Sequence, residues 1–197
     1  MSRKDSAKEL ILNKAVQMAS VAGLNGLTIG SLAEAVAMSK GGISAHFKSK
    51  TELQVAAVDR ASELFQAAVI GQVLAEPAGI ARLSKLCDSW FSYLQQGIFL
   101  GGCFFTNAVL ELDDLDNSEV RAAVLRYYHN YLNFIEQSIA ETVQLGQFRP
   151  DTPIAEVALQ FHGIEIAALV WRAVRSHETQ FATARAAIDN LIATYRS

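Results

Sequence analysis

Between Thr28 and Lys50 the chain reads TIGSLAEAVAMSKGGISAHFKSK. Thr28 and Ser39 each stand just ahead of a short segment with apolar residues at helical spacing: Ile29, Leu32, Ala33 and Val36 in the first, Ile43 and Phe47 in the second. A hydroxyl in that place caps a helix by accepting from its first free N–H groups. Remaining free N–H groups at such helix starts attract phosphate. The outward side of the second segment offers Lys40, Gly41, Gly42, Ser44, Ala45 and His46, all polar or small. Glycine costs a helix about 1 kcal/mol against alanine. Two adjacent glycines are therefore poor helix material, but they let a backbone approach phosphates or base edges closely. Lys48 and Lys50 flank a further helix start at Ser49 and suit phosphate contacts. The chemistry of this stretch is nucleic-acid recognition, with Thr28, Ser39, Lys40, Gly41, Gly42, Ser44, His46, Lys48 and Lys50 as the candidate DNA-binding residues.

Those residues need elements to position them. A first helix is expected behind the capping pair Ser6 and Glu9, with Ile11, Leu12, Ala15, Met18, Ala19 and Ala22 on one face and Gly23 as its end. Leu24-Asn25-Gly26-Leu27 makes a turn. The segments 29–37 and 40–47 are too short to be stable alone, so they must pack on the first helix as a helix-turn-helix whose second member faces outward. A fourth helix at about 51–74, with Leu53, Ala56, Ala57, Leu64, Phe65 and Ala68 inward, links this head to the rest. Glu76-Pro77-Ala78-Gly79 interrupts the chain. Further helices are expected near 80–97, 101–112, 117–146 (starting at Asp116, Asn117 and Ser118), 152–175 (Thr152 cap, Pro153 just inside) and 179–196. The fold class is all-α: an N-terminal three-helix DNA-binding domain over 1–50, followed by a helical domain over 51–197.

Charge supports the division. Net charge is −3 over 197 residues. Residues 1–50 hold seven Lys/Arg (Arg3, Lys4, Lys8, Lys14, Lys40, Lys48, Lys50) against Asp5, Glu9 and Glu34, a balance of +4, and the other residues balance at −7. A basic head neutralises phosphates while an acidic body is repelled by them. About half the residues are hydrophobic, enough for a packed core. The longest uncharged run, Ser89 to Leu110, is broken by Gln95, Gln96, Asn107 and three glycines and reads as buried protein before it reads as a membrane span. The N-terminus is charged, without an apolar signal core, so a cytoplasmic location is expected.

The segment Ile11–Ala56, and above all GLNGLTIGSLAEAVAMSKGGISAHFKSKTEL, resembles the N-terminal domain of the tetracycline-repressor (TetR) family. The matching features are the Thr before the second helix, the Ser-Lys-Gly before the third, the His-Phe near its end and the Lys-Ser-Lys-x-x-Leu into the fourth. The resemblance implies a homodimer that binds a palindromic operator in double-stranded DNA. It also implies an effector pocket in the C-terminal helices and release of DNA when a small molecule binds. By position it turns Thr28, Lys40, Gly42, His46 and Lys50 toward DNA. Where many members have Tyr, this chain has Ser44, and where many have a larger residue, it has Ala45.

Helix 152–175 is apolar on nearly all sides and must be covered all round. The resemblance pairs it and helix 179–196 with their copies in a dimer interface; burial within one chain is the rival reading. Aromatic residues crowd the body, and ligand pockets are apolar and aromatic with a few polar groups. The candidate ligand-binding residues are Trp90, Tyr93, Phe104, Asn107, Tyr128, Tyr131, Phe161, His162 and Glu165. Glu165 stands in an apolar run and needs a partner: Arg172, His162, a residue of a dimer mate, or a cationic effector. Cys103 lies in GGCFFTNAVLEL, similar to stretches in thiol-sensing members of the family, but without a basic neighbour in sequence an inert buried thiol is the simpler reading. No nucleophile–base motif, P-loop or GxGxxG occurs, and His162-x-x-Glu165 stands alone as a metal-type spacing, so no enzyme activity, cofactor or metal is expected. The expected function is a ligand-responsive transcriptional regulator, a repressor by preference; the alternative is a helical protein-interaction module that no longer reads DNA.

Overall fold

The computed structural model describes residues 3–111, 118–175 and 179–197. Every regular element among them is helical, apart from one isolated backbone bridge between Phe148 and Arg196. The chain divides into two compact units, one formed by 1–64 with 97–128 and the other by 65–96 with 129–197. The all-α class is as the sequence indicates. The unit that holds the head also takes in most of the linking helix and the segment 97–128.

In the first unit, α1 (Arg3–Gly26) starts ahead of Ser6, so Ser6 stands inside the helix and not at the position before it. Helical geometry breaks at Gly23, whose φ of 76° and ψ of 164° a side chain would strain. The break frees the Leu24 N–H, which donates to Glu111 Oε2 at 3.0 Å. α2 (Ile29–Ala35) and α3 (Lys40–Ser44) follow. Both are shorter than their apolar pattern indicates. α2 closes with Ala37 in the left-handed region (φ 53°) and the Met38 N–H bonded to Ala33 O at 2.9 Å, a Schellman-type stop usually made with glycine. α3 gives way to a tight turn in which the Phe47 N–H reaches Ile43 O. Ile11, Ala15, Ala19, Leu24, Leu27, Leu32, Ile43, Phe47 and Leu53 fill the core of the head. α4 (Lys50–Phe65) leaves it, and α7 (Phe104–Leu110) packs on α1.

In the second unit, the linking helix continues from Phe65 through one π-helical turn (Gln66–Ile70) into α5 (Gly71–Val73). α6 (Ile80–Gln95) begins at Gly79 (φ 106°) and is capped from afar, because the Ile80 N–H donates to Gln147 Oε1 at 2.8 Å. α8 (Ser118–Gln144) crosses from the first unit, and the expected start of that helix at Asp116 and Asn117 lies outside the described residues. α9 (Ile154–Arg175) and α10 (Thr179–Tyr195) pack against each other. Leu83, Leu86, Trp90, Tyr93, Ile135, Ile139, Phe161, Ile188 and Leu191 form the core between them.

Candidate nucleic-acid interface and effector site

Local hydrogen bonds fix the head. Thr28 and Ser31 form a reciprocal capping box: the Ser31 N–H donates to Thr28 Oγ1 and the Thr28 N–H to Ser31 Oγ, both at 3.0 Å. Serine here does the work usually given to Glu or Gln. Ser39 Oγ accepts from the Gly42 N–H at 3.0 Å. Ser49 repeats the device for α4, accepting from the Glu52 N–H, while Glu52 Oε2 accepts from the Lys48 N–H at 2.7 Å.

With Ile43 and Phe47 turned into the core, Lys40, Gly41, Ser44 and Ala45 are left exposed, and Gly42 and His46 are half-buried. A Cβ placed on Gly41 would meet nothing nearer than Ser39 Oγ at 3.9 Å, and one on Gly42 only the end of the Met38 side chain at 3.2 Å and Ser39 Oγ at 3.4 Å. The packing of this protein therefore does not demand glycine at position 41. The ring of His46 lies 6.4 Å from that of Phe47, and Lys8 Nζ sits 5.7 Å from the Phe47 ring centre. Lys48 is exposed. Lys50 is exposed too, but its Nζ donates to Asn25 O at 3.1 Å, which pins its charge beside the turn that precedes α2. The nine candidate DNA-binding residues thus lie on α3, its flanks and the two neighbouring caps. An open groove of about 510 Å³ beside the start of α4 carries Glu52, Asp59 and Glu119 on its walls, which makes it hostile to phosphate.

The candidate ligand residues divide between the units. Phe104 stacks within the first unit in a run Phe99–Phe104–Phe105–Tyr127, with ring centres 5.3 to 5.9 Å apart. Asn107 has a backbone task there: its Nδ2 donates to Gly101 O at 2.9 Å and to Ser20 O at 3.4 Å. Tyr128 is half-buried in the same unit. The other six lie in the second unit. Glu165 is fully buried; its Oε1 accepts from the Tyr131 hydroxyl at 2.8 Å and its Oε2 pairs with His162 Nδ1 at 2.9 Å. Burial pushes its carboxyl above the ordinary range, and the bonds from His162 and Tyr131 only partly offset this. Tyr131 meets Phe65 edge-on at 5.3 Å, and Phe65 meets Tyr93 edge-on at 5.4 Å. Trp90 packs on Phe91, and Phe161 is buried one turn before Glu165. Of the partners open to Glu165, the structure selects His162; Arg172 donates instead to Leu94 O at 2.8 Å.

Apolar spacing puts Phe65 on an inward face without giving it a role, and does not single out Ser89. The Ser89 hydroxyl is buried without a hydrogen-bond partner among the described residues. The signal available was a serine inside an apolar helix face, one turn before Tyr93. Cys103, at the start of α7, is buried. Cys87 is buried too, and burial holds its thiol far above the ordinary range.

α9 leaves much of its apolar surface uncovered. Leu159 (75% exposed), Val170 (52%), Trp171 (48%) and Val174 (76%) lie on a stripe with exposed Gly163 and Ala167. The stretch Ile154–Val174 is long and apolar enough to cross a membrane, by length and composition alone. On α10 the exposed positions Ala182, Ala186 and Ala193 are small.

Two family models match the chain: bacterial regulatory proteins of the tetR family over residues 11–57, and the tetracyclin repressor-like C-terminal domain over residues 79–188. An uncharacterised HTH-type transcriptional regulator of Lactococcus lactis subsp. lactis is 29% identical over 112 residues, which span 56% of this chain and 57% of that protein's length. A TetR transcriptional regulator from Chloroflexus aurantiacus superposes with a TM-score of 0.89 at 22% identity, covering 100% of this chain and 98% of that one. A putative transcriptional regulator from Saccharomonospora viridis, solved in complex with choline, gives a TM-score of 0.77 at 18% identity, with 96% of each chain covered.

Proposed function

The chain belongs to the tetR family of bacterial regulatory proteins, and from that premise we propose that it is a homodimeric repressor that leaves its operator when a small molecule enters the second unit. DNA binding and transcription regulation come with the family; the repressor sign, the dimer and the effector are the proposal. So are the cytoplasmic location and the assignment of DNA reading to residues 1–50, with effector binding and dimerisation in 51–197.

The observation that carries the DNA-reading role is the exposed face of α3. Lys40, Gly41, Ser44 and Ala45 face solvent, and the protein's own packing gives no reason for glycine at 41. Ile43 and Phe47 anchor that face from behind. Helix-turn-helix dimers place two such faces about one helical turn of DNA apart, so a palindromic site is expected. The exposed stripe of Leu159, Val170, Trp171 and Val174 on α9, together with the small exposed residues of α10, supports a dimer through α9 and α10. The choline complex of the Saccharomonospora viridis neighbour supports a small-molecule site in a protein of this fold. Effector binding would favour a head separation that no longer fits the groove spacing.

The test is selection of duplexes from a random pool by the purified protein. One palindromic motif is the expected recovery, and Lys50→Ala should weaken all duplexes alike and flatten the salt dependence by about one unit. Recovery of no motif would favour a second reading, a helical protein-interaction module, for which the short side chains of Ser44 and Ala45 speak.

A further inference from the structure

The interior of the second unit contains a charge problem whose solution names a ligand class. Glu165 is fully buried on α9, and an ionised carboxylate in such a place is costly unless a positive charge meets it. Its two partners carry no permanent charge: the Tyr131 hydroxyl at 2.8 Å and the His162 imidazole at 2.9 Å. Four arginines of this unit have other partners. Arg172 donates to Leu94 O. Arg185 holds Asp88 and Asp189, Arg82 holds Glu141 and Glu76 O, and Arg149 lies beside Asp151.

The walls around this carboxyl suit one kind of occupant. Tyr131, Phe65 and Tyr93 form an edge-on relay of rings from α8 across to α6, with centre separations of 5.3 and 5.4 Å. Aromatic rings attract cations, quaternary ammonium groups above all. The Ser89 hydroxyl, without a hydrogen-bond partner among the described residues, lies on the same face of α6 as Tyr93, one turn earlier. One π-helical turn, Gln66–Ile70, follows Phe65 directly. Such turns mark functional places more often than chance allows.

We infer that the effector is an organic cation, a protonated amine or a quaternary ammonium compound, whose charge is received by Glu165 and whose apolar body lies on Tyr131, Phe65 and Tyr93. The inference rests on the reading of this unit as an effector domain and names the effector's class. Anionic effectors are disfavoured at this point, because they would place a second negative charge beside Glu165. Neutral ones can offer the carboxylate a hydrogen bond but no charge.

The buried state of Glu165 couples cation binding to a proton. The groups that face it are Tyr131 from α8, His162 from α9 and, through space, Cys87 from α6; Phe65 on the linking helix is apolar. An arriving cation stabilises the ionised carboxylate, so the site gives up a proton as the ligand binds. Affinity for the cation therefore rises with pH, by up to about tenfold per unit where the proton is being lost.

The test uses the full-length protein with three probes of similar size: benzyltrimethylammonium, benzyl alcohol and benzoate. Binding is read by calorimetry and thermal shift, and release by displacement of the selected duplex. Benzyltrimethylammonium should bind about 100-fold more tightly than the other two, with proton release, and should displace the duplex. Glu165→Gln should collapse that ratio toward one. Should that variant unfold, Tyr131→Phe and the pH dependence of wild-type binding decide the same question, since the affinity must still rise with pH. Equal binding of all three probes, a Glu165→Gln variant that keeps the ratio, or binding of none of them overturns the inference. Failure to select any duplex while the cation still binds with proton release would sink the DNA-reading function and leave the cation site standing.

Discussion

Gly101 lies where the segment 97–103 crosses the backbone of α1. A Cβ there would fall far inside the 3.0 Å limit of real Cβ approaches to the Ser20 carbonyl and would touch Val21 N at 3.0 Å. Both obstacles are backbone within a helix, so α1 cannot give way as a side chain would. Gly101→Ala therefore forces the segment off α1 by on the order of 1 Å. That movement loosens a set of bonds across the junction. The Gly101 N–H donates to Ser20 Oγ at 3.2 Å, the Leu100 N–H to Gln17 Oε1 at 2.9 Å, and Asn107 Nδ2 to Ser20 O at 3.4 Å. Three bonds at about 1 kcal/mol each, with about 1–3 kcal/mol for overpacking, give a loss of roughly 4–6 kcal/mol. A typical total stability is about 5–15 kcal/mol, so the variant should be badly compromised. Urea unfolding followed by far-UV circular dichroism at one fixed protein concentration measures it. Gly97→Ala is the control: its Cβ meets nothing within 4 Å, and only its positive φ of 63° is at stake, for about 1 kcal/mol. If Gly101→Ala unfolds within about 1 kcal/mol of wild type, the close crossing of these two backbones does not exist in solution.

Gly41→Ala should raise the urea midpoint by the equivalent of about 0.5–1 kcal/mol, since the site is open. It should nonetheless weaken duplex binding in a gel-shift assay; stability and affinity rising together would remove the functional reason for that glycine. Thr28→Ala removes the acceptor of the Ser31 N–H while leaving the Thr28 N–H bonded to Ser31 Oγ, and should cost about 1 kcal/mol of stability. The folded protein holds the Glu165 proton to higher pH than the unfolded chain does, so the stability this group supplies is full below the ordinary carboxyl range and lost as pH rises through its raised value. Melting temperatures from pH 4 to 8 should accordingly fall with pH more steeply in wild type than in Glu165→Gln, and parallel curves would refute the assignment. Leu159→Glu, on the exposed stripe of α9, should shift the sedimentation coefficient from dimer to monomer while leaving helical content unchanged.

Much of the head was legible in the sequence because its rules act within one helical turn. Thr28, Ser39 and Ser49 each bond an N–H three residues on, which is a local event that spacing reveals. Ile43 and Phe47 are inward because their separation of four residues puts them on one face. The lengths of α2 and α3 were overestimated for an equally local reason. An apolar pattern continues through the turns that end each helix, and Ala37 takes a left-handed conformation that its residue type does not advertise.

What the tertiary structure decided lies across long stretches of chain. Glu165 finds Tyr131 34 residues away, and the choice of His162 over Arg172 depended on Arg172 reaching Leu94 O across 78 residues. Gln147 starts α6 from 67 residues off, and Glu111 bonds the Leu24 N–H that Gly23 frees, 87 residues earlier. Asn107, a pocket candidate by type, acts instead on the backbone of Gly101 and Ser20. A side chain's partners over such distances are set by which helices pack together, and helical periodicity specifies only the face a residue occupies, not the neighbour that face will meet.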